Sequence, residues 1–258
     1  MGFHYSDKLR EEYHSEGLII LRDIIPPTLL SDLRQEADIA RTIAREQHGA
    51  QAQRLQPVYK YEELNPQPFR DFLQLPDMQT VVQNILGKLH QPSEIMGILL
   101  EPKEHAWCTN WHRDWGHHLP NIPPERWEWA LQQEYMFNQL NAALYDDGSL
   151  WAVPGSHHRT DTKEETTHFS SNPPEPPRLT PNMTETERER ECLRYARSMP
   201  NATHIVLHAG DVAFYRAVGW HIGNYVPYLR RATLHDGYYC AEDLAWQKEM
   251  QALQQTKS

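Results

Sequence analysis

The sequence predicts a mainly β domain with flanking helices, arranged as a sandwich or barrel, and three observations carry that prediction. Helical periodicity is concentrated near the N-terminus, β-like runs punctuated by turn residues dominate from about residue 93 to 240, and no internal repeat divides the chain. At 258 residues, 39% of them hydrophobic, with eight Trp, twelve Tyr and six Phe, the chain can fill one large core. The reading is a single domain over 1–258, with N-terminal helices (about 6–90) packed on a β core (about 93–240). Nineteen prolines and a mean hydropathy of -0.74 predict long polar connections around that core.

Taken in order, "SDKLREEYHSEG" reads as a helix with Ser6 as N-cap and Gly17 as its stop, followed by a short strand, "LIILRD". A second helix starts after Pro26 and Pro27, where Leu29, Leu30, Leu33, Ala37, Ala40 and Ala44 recur at helical spacing to about residue 46. A third lies near "MQTVVQNILGKL". The β-like runs are then "SEIMGILLEPK", "WCTNWHRDW", "EYMFNQLNAALY", "LWAVPGS", "HIVLHAGDVAFYR" and "RRATLHDGYYC". A polar, proline-rich excursion over about 157–200 interrupts them and ends in a helix, which Thr184 and Glu187 open as a capping box. An excursion of that length reads as a lid-like insertion.

A net charge of -10 without a Lys/Arg stripe excludes a non-specific nucleic-acid binder, because phosphate neutralisation needs clustered positive charge. The longest apolar runs, "GLIIL" and "MGILL", are too short to span a bilayer, and "MGFHYSDKLREE" has no apolar signal-peptide core, so a soluble, cytoplasmic protein is expected. Cys108, Cys192 and Cys240 are odd in number, far apart and without a CxxC pair, which predicts reduced thiols.

The chemistry is concentrated in "NWHRDWGHH". On a strand, residues i and i+2 share a face, so His112 and Asp114 point together while Arg113 points away. A third ligand is available in His221, within "GDVAFYRAVGWHIGNY". Two imidazoles and one carboxylate on one face make the triad typical of non-haem Fe(II) oxygenases, with coordination positions left open. Arginines follow at 230 and 231, the residue type suited to gripping the far end of a dicarboxylate cosubstrate.

Five segments, in order, resemble the phytanoyl-CoA dioxygenase family of Fe(II)/2-oxoglutarate enzymes: "EEYHSEGLIILRDIIPPTLLSDLRQE", "NWHRDW", "LYDDGSLWAVPGSHH", "HAGDVAFYRAVGWHIGNY" and "LRRATLHDGY". The resemblance implies a double-stranded β-helix core, a cupin-like jelly roll. It implies His112, Asp114 and His221 as iron ligands and Arg230 as the grip on 2-oxoglutarate, preferred over Arg231 because a basic and then a small residue follow it. Thr109, Gln139 and Asn141 are implied as further cosubstrate contacts. Asn141 stands where the family often has an aromatic, and Gly223 where it sometimes has a small hydroxyl residue. With Fe(II), 2-oxoglutarate and O2, the implied reaction is hydroxylation, desaturation or ring-forming oxidation of a small-molecule substrate with release of succinate and CO2. Asp114 is retained where related halogenases carry a small residue. The excursion is acidic and proline-rich, with no Lys/Arg cluster for CoA phosphates, which favours a small metabolite or natural-product intermediate. Oligomeric state is not legible.

Two other functions use the same residues: a zinc- or manganese-dependent cupin-like hydrolase or isomerase, and a non-catalytic ligand-binding jelly roll. Several neighbours have plain structural readings. Trp111 and Trp115 suit packing as well as a pocket wall, His117 and His118 suit an exposed loop, and Arg113 suits a salt bridge. Trp127, Trp129 and Tyr135 suit a covering segment as well as an aromatic wall. Asp146 and Asp147 in "DDG" read as a turn, and His157 and His158 as structural.

Overall fold

The computed structural model describes residues 2–116, 122–168 and 174–255. Eight helices are described: α1 (Asp7–Glu16), α2 (Pro27–His48), α3 (Gln67–Leu73), α4 (Pro76–Ile85), α5 (Pro124–Leu131), α6 (Lys163–His168), α7 (Glu185–Ala196) and α8 (Ala241–Gln255). The strands are β1 (Leu18–Leu21), β2 (Arg54–Leu55), β3 (Gln91–Pro92), β4 (Gly97–Leu100), β5 (Trp107–Cys108), β6 (Asn138–Ala143), β7 (Leu150–Ala152), β8 (Thr203–His204), β9 (Val212–Arg216), β10 (His221–Tyr225), β11 (Ala232–Asp236) and β12 (Tyr238–Tyr239). A six-stranded sheet in the order β1-β9-β6-β11-β4-β2 packs with a four-stranded sheet in the order β5-β10-β7-β8 to make the jelly-roll core. Every described strand pairing is antiparallel. No helix among the described residues is long and apolar enough to cross a membrane.

Strand alternation explains how the large sheet is covered on both faces. Ile19 and Leu21 on β1, Leu55 on β2, Ile98 and Leu100 on β4, Leu140 and Ala142 on β6, Val212 and Phe214 on β9, and Ala232 and Leu234 on β11 all point outward into one core with α2, α3 and α4. Removing one of its large side chains, as in Phe214→Ala, costs about 3–5 kcal/mol. The residues between them point inward. Toward β1 and β9, Leu18, Ile20, Ala213 and Tyr215 meet Leu150 and Ala152 of the small sheet. Toward β2, β4 and β11 the inward face becomes polar, with Arg54, Arg231 and His235 lining a cavity.

The helical signals act locally as expected. Gly17 takes the left-handed conformation (φ 74°) that closes α1, its N–H donating to the Tyr13 carbonyl, although the Ser6 hydroxyl makes no capping bond. Thr184 and Glu187 form the predicted capping box of α7, and α7 buries Cys192, Tyr195 and Ala196 against Cys108, Trp111 and Trp151. Helices α3, α5, α6 and α8 carried no sequence expectation. The N-terminal third, read as helices and one strand, also supplies β2 and the short β3.

Candidate active site

The predicted strand through "WCTNWHRDW" stops at Cys108. His112 makes an isolated bridge to His221, its N–H donating to the His221 carbonyl at 3.1 Å and its carbonyl accepting from the His221 N–H at 3.0 Å. Asp114 lies in a turn whose N–H donates to the Ala217 carbonyl at 2.8 Å, and Trp115 follows at φ 66°. The His112 and Asp114 side chains converge even though no continuous strand carries them, because the chain on both sides is tied to the segment bearing His221.

His112 Nδ1 lies 2.8 Å from the Asn110 carbonyl, and His221 Nδ1 lies 3.0 Å from the Gly219 carbonyl. A carbonyl only accepts, so each Nδ1 carries a proton, which leaves Nε2 as the ring nitrogen of each that can serve as a metal ligand. Those Nε2 atoms lie 3.5 Å and 3.9 Å from Asp114 Oδ1. The three donors fall within 4.8 Å of one another. The other Asp114 oxygen accepts from Gln139 Nε2 at 3.1 Å, and Gln139 Oε1 accepts from the Tyr215 hydroxyl at 2.6 Å. Backbone-anchored imidazoles and a hydrogen-bonded carboxylate fit a divalent iron, with the outer groups fixing orientation. Tyr215 is buried, and burial followed by the Asp114 carboxylate pushes its phenol well above the ordinary value, so it donates to Gln139 as a neutral hydroxyl.

These groups open on a cavity of about 610 Å³ between the two sheets. Thr109, Gln139 and Asn141 all line it. The Thr109 hydroxyl accepts from the Gly223 N–H at 3.1 Å, and Asn141 Oδ1 accepts from His235 Nδ1 at 2.8 Å. Burial first, and then the positive charge of Arg54, lowers the His235 pKa to about 3, so its ring is neutral.

Arg230 does not reach the cavity. It is exposed, donates to Asp38 Oδ1 at 2.5 Å and sits 4.9 Å from the Tyr145 ring centroid. Arg231 is the arginine of this pair that lines the cavity. It is 5% exposed, its Nε donates to Asp147 Oδ2 at 2.9 Å, and its Nη1 is buried without a partner. The physical reason is parity: Ala232 and Leu234 face the helices, so Arg231, Thr233 and His235 face inward and Arg230 leaves at the strand's start. That alternation was readable in "RRATLHD". Asp147, read as a turn residue, is also the buried counter-ion of Arg231. Burial opposes its ionisation, but Arg231 and the Ser149 N–H hold its carboxyl below the usual range.

The other sequence candidates are structural. Trp111 is fully buried with its indole N–H donating to the Tyr195 carbonyl at 3.3 Å, and Trp115 meets Trp246 edge-on. Arg113 is buried, pairs with Asp161 at 2.8 Å and donates to three backbone carbonyls. Trp127, Trp129 and Tyr135 stand outside the cavity, whose aromatic wall is instead Trp107, Tyr215, Tyr225 and Tyr239. His157 is buried with Nε2 3.1 Å from the His14 carbonyl. His117 and His118 lie outside the described residues. Sequence reasoning missed Arg54, His235 and that aromatic wall.

A model of the family described as "Phytanoyl-CoA dioxygenase (PhyH)" matches residues 13–223. No curated protein sequence matches the chain. Among solved structures, EctD from S. alaskensis with 2-oxoglutarate and 5-hydroxyectoine superposes with a TM-score of 0.61 at 16% identity, covering 93% of this chain and 77% of EctD. The non-heme alpha ketoglutarate dependent carbocyclase SnoK from nogalamycin biosynthesis gives 0.59 at 16%, covering 92% and 85%. AviO1 from Streptomyces viridochromogenes Tue57 gives 0.57 at 17%, covering 91% and 95%. At such identities the likeness concerns the fold.

Proposed function

This chain belongs to the phytanoyl-CoA dioxygenase family, Fe(II)/2-oxoglutarate-dependent oxidoreductases that use O2, and on that premise we propose that it oxidises a small metabolite or natural-product intermediate. His112, Asp114 and His221 hold the iron, and Arg231, in place of Arg230, grips the distal carboxylate of 2-oxoglutarate. The observation that carries this reading is one cavity containing three convergent donors and the partnerless, buried Nη1 of Arg231.

When bound, Fe(II) with 2-oxoglutarate and O2 would supply the two-electron oxidation of a substrate C–H bond, with succinate and CO2 as co-products. The protein's residues bind and orient. The Asn110 and Gly219 carbonyls orient both imidazoles, and Tyr215 orders Gln139, which orders Asp114. Arg231 donates Nη1–H to the cosubstrate while Asp147 retains Nε. The Thr109 hydroxyl proton and the Asn141 amide N–H are the further donors, whereas Gln139 is already engaged at both ends. Leu150, Ile222 and Leu99 form the apolar parts of the wall that limit water. Asp114 fills the third protein ligand position, which favours hydroxylation, desaturation or cyclisation over halide transfer. The neighbours' described activities, carbocyclisation by SnoK among them, are compatible with that range.

The test is anaerobic titration of Fe(II)-loaded protein with 2-oxoglutarate, following the weak visible charge-transfer band of the chelate. The band should form in wild type, vanish in His221→Ala, need at least about tenfold more cosubstrate in Arg231→Gln, and stay unchanged in Arg230→Gln. Bound iron without any band would point to a different metal chemistry.

A further inference from the structure

We propose that Arg54 is the recognition residue for a carboxylate or similar anionic group on the substrate, so that the oxidised molecule is a small organic anion. The inference rests on the oxygenase reading above and assigns that same cavity a substrate class.

Arg54 sits on β2, the edge strand of the large sheet, paired with Leu99 of β4. Its neighbour Leu55 is buried in the core beneath the helices, so alternation turns Arg54 toward the cavity, which it lines together with the metal triad. Among the described residues the Arg54 side chain makes no hydrogen bond, ion pair or stacking contact. Among the described residues, two guanidinium groups line the cavity and no lysine does. Arg231 is buried, neutralised by Asp147 and placed to take the cosubstrate. Arg54 has no such counter-ion.

The two carboxylates in the cavity wall do not supply one. Asp114 belongs to the metal triad, and Asp236 accepts from Ser93, from the Tyr239 hydroxyl and from the Gly237 N–H. The charge of Arg54 is nevertheless felt across the site: it opposes the upward push of burial on Tyr215, Tyr225 and Asp236 and adds to the downward push of burial on His235. A cation that acts on four walls of a cavity and is compensated by none favours an incoming anion, and the flanking Gln53 offers a buried amide oxygen without a partner for a donor on the same molecule. One dicarboxylate cosubstrate uses Arg231, and a second anion is left for Arg54.

The experiment uses Fe(II)-loaded protein saturated with 2-oxoglutarate and a set of small aliphatic and aromatic carboxylic acids, each paired with its primary amide. The readouts are perturbation of the chelate band without O2 and acceleration of succinate formation with it. Acids should act and their amides should not. In Arg54→Gln the acid concentration for half effect should rise at least about tenfold, with most of the loss recovered in Arg54→Lys. The 2-oxoglutarate concentration for half of the band should stay within about twofold. Arg54 is exposed, so both variants should keep the wild-type Tm. The proposal is overturned if amides act as well as acids, if no acid acts, if Arg54→Gln leaves acid potency unchanged, or if its main effect is on 2-oxoglutarate. A wild type with no chelate band would count against the oxygenase reading instead. Calorimetric titration of the acids into metal-free protein, compared between wild type and Arg54→Gln, would then still decide on Arg54.

Discussion

Arg231 and Asp147 form a buried ion pair, Nε to Oδ2 at 2.9 Å with both side chains 6% exposed, and Asp147 Oδ2 also accepts from the Thr233 hydroxyl at 2.9 Å. Asp147, held between β6 and β7 by an isolated bridge to Leu207, thus aims the guanidinium into the cavity and leaves Nη1 open. Breaking such a pair from one side strands a buried charge. Asp147→Asn should lower stability by about 3 kcal/mol and raise the 2-oxoglutarate requirement of the chelate band. Urea unfolding and the titration give the two numbers, and an unchanged titration would remove Asp147 from the cosubstrate site.

Gln139 joins the candidate metal triad to Tyr215. Replacing it by leucine keeps the volume and deletes the donor to Asp114 Oδ2. Loss of an outer partner of this kind typically weakens metal binding by about 10–100-fold. Competition with a chelator of known affinity measures the change, and wild-type affinity in Gln139→Leu would show that Asp114 orients itself.

Gly223 is a departure from the family that the structure accounts for. A Cβ there would lie 1.9 Å from the Tyr225 hydroxyl oxygen, so the tyrosine occupies the space a side chain at 223 would need. Tyr225 also lies beneath Arg231, whose guanidinium carbon is 5.0 Å from its ring centroid. Gly223→Ala should therefore displace Tyr225, weaken 2-oxoglutarate binding and lower Tm, whereas a variant indistinguishable from wild type in both would contradict this packing.

His157 supplies a pH dependence away from the metal. Burial first, then the charge of Arg216, lowers its pKa from 6.5 to about 3. Between these values the unfolded chain binds a proton that the folded protein does not, so stability rises with pH there and is lost as pH falls from about 6.5 toward 3. The contribution is about 1.4 kcal/mol per pH unit inside that window. His157→Asn should flatten the slope of unfolding free energy against pH by about one proton below pH 6, and an unchanged slope would mean that His157 titrates normally.

Much of this protein was legible without its structure. "HRD" and "WHIG" named the candidate ligands His112, Asp114 and His221, whose donor atoms the structure brings within 4.8 Å of one another, and the caps at Gly17 and Thr184 and the core periodicity of α2 are local signals that local physics carries out. The expected arginine, Arg230, lies outside the cavity for a definable reason. Period-2 alternation makes Arg230 and Arg231 point oppositely, but which of them enters a site depends on which sheet face carries the cavity. The apolar pair Ala232 and Leu234 held that information once the helices were known to cover one face. Arg54 was beyond reach of any local pattern, because only the pairing of β2 with β4 carries an N-terminal residue to the cavity wall. By itself the sequence determined the chemistry available: two histidines, one aspartate and spare guanidinium groups in a mainly β chain. Tertiary structure decided which groups meet, because strand register, set by contacts far apart in sequence, turns one set of side chains inward and buries their charges at a distance where they act on one another.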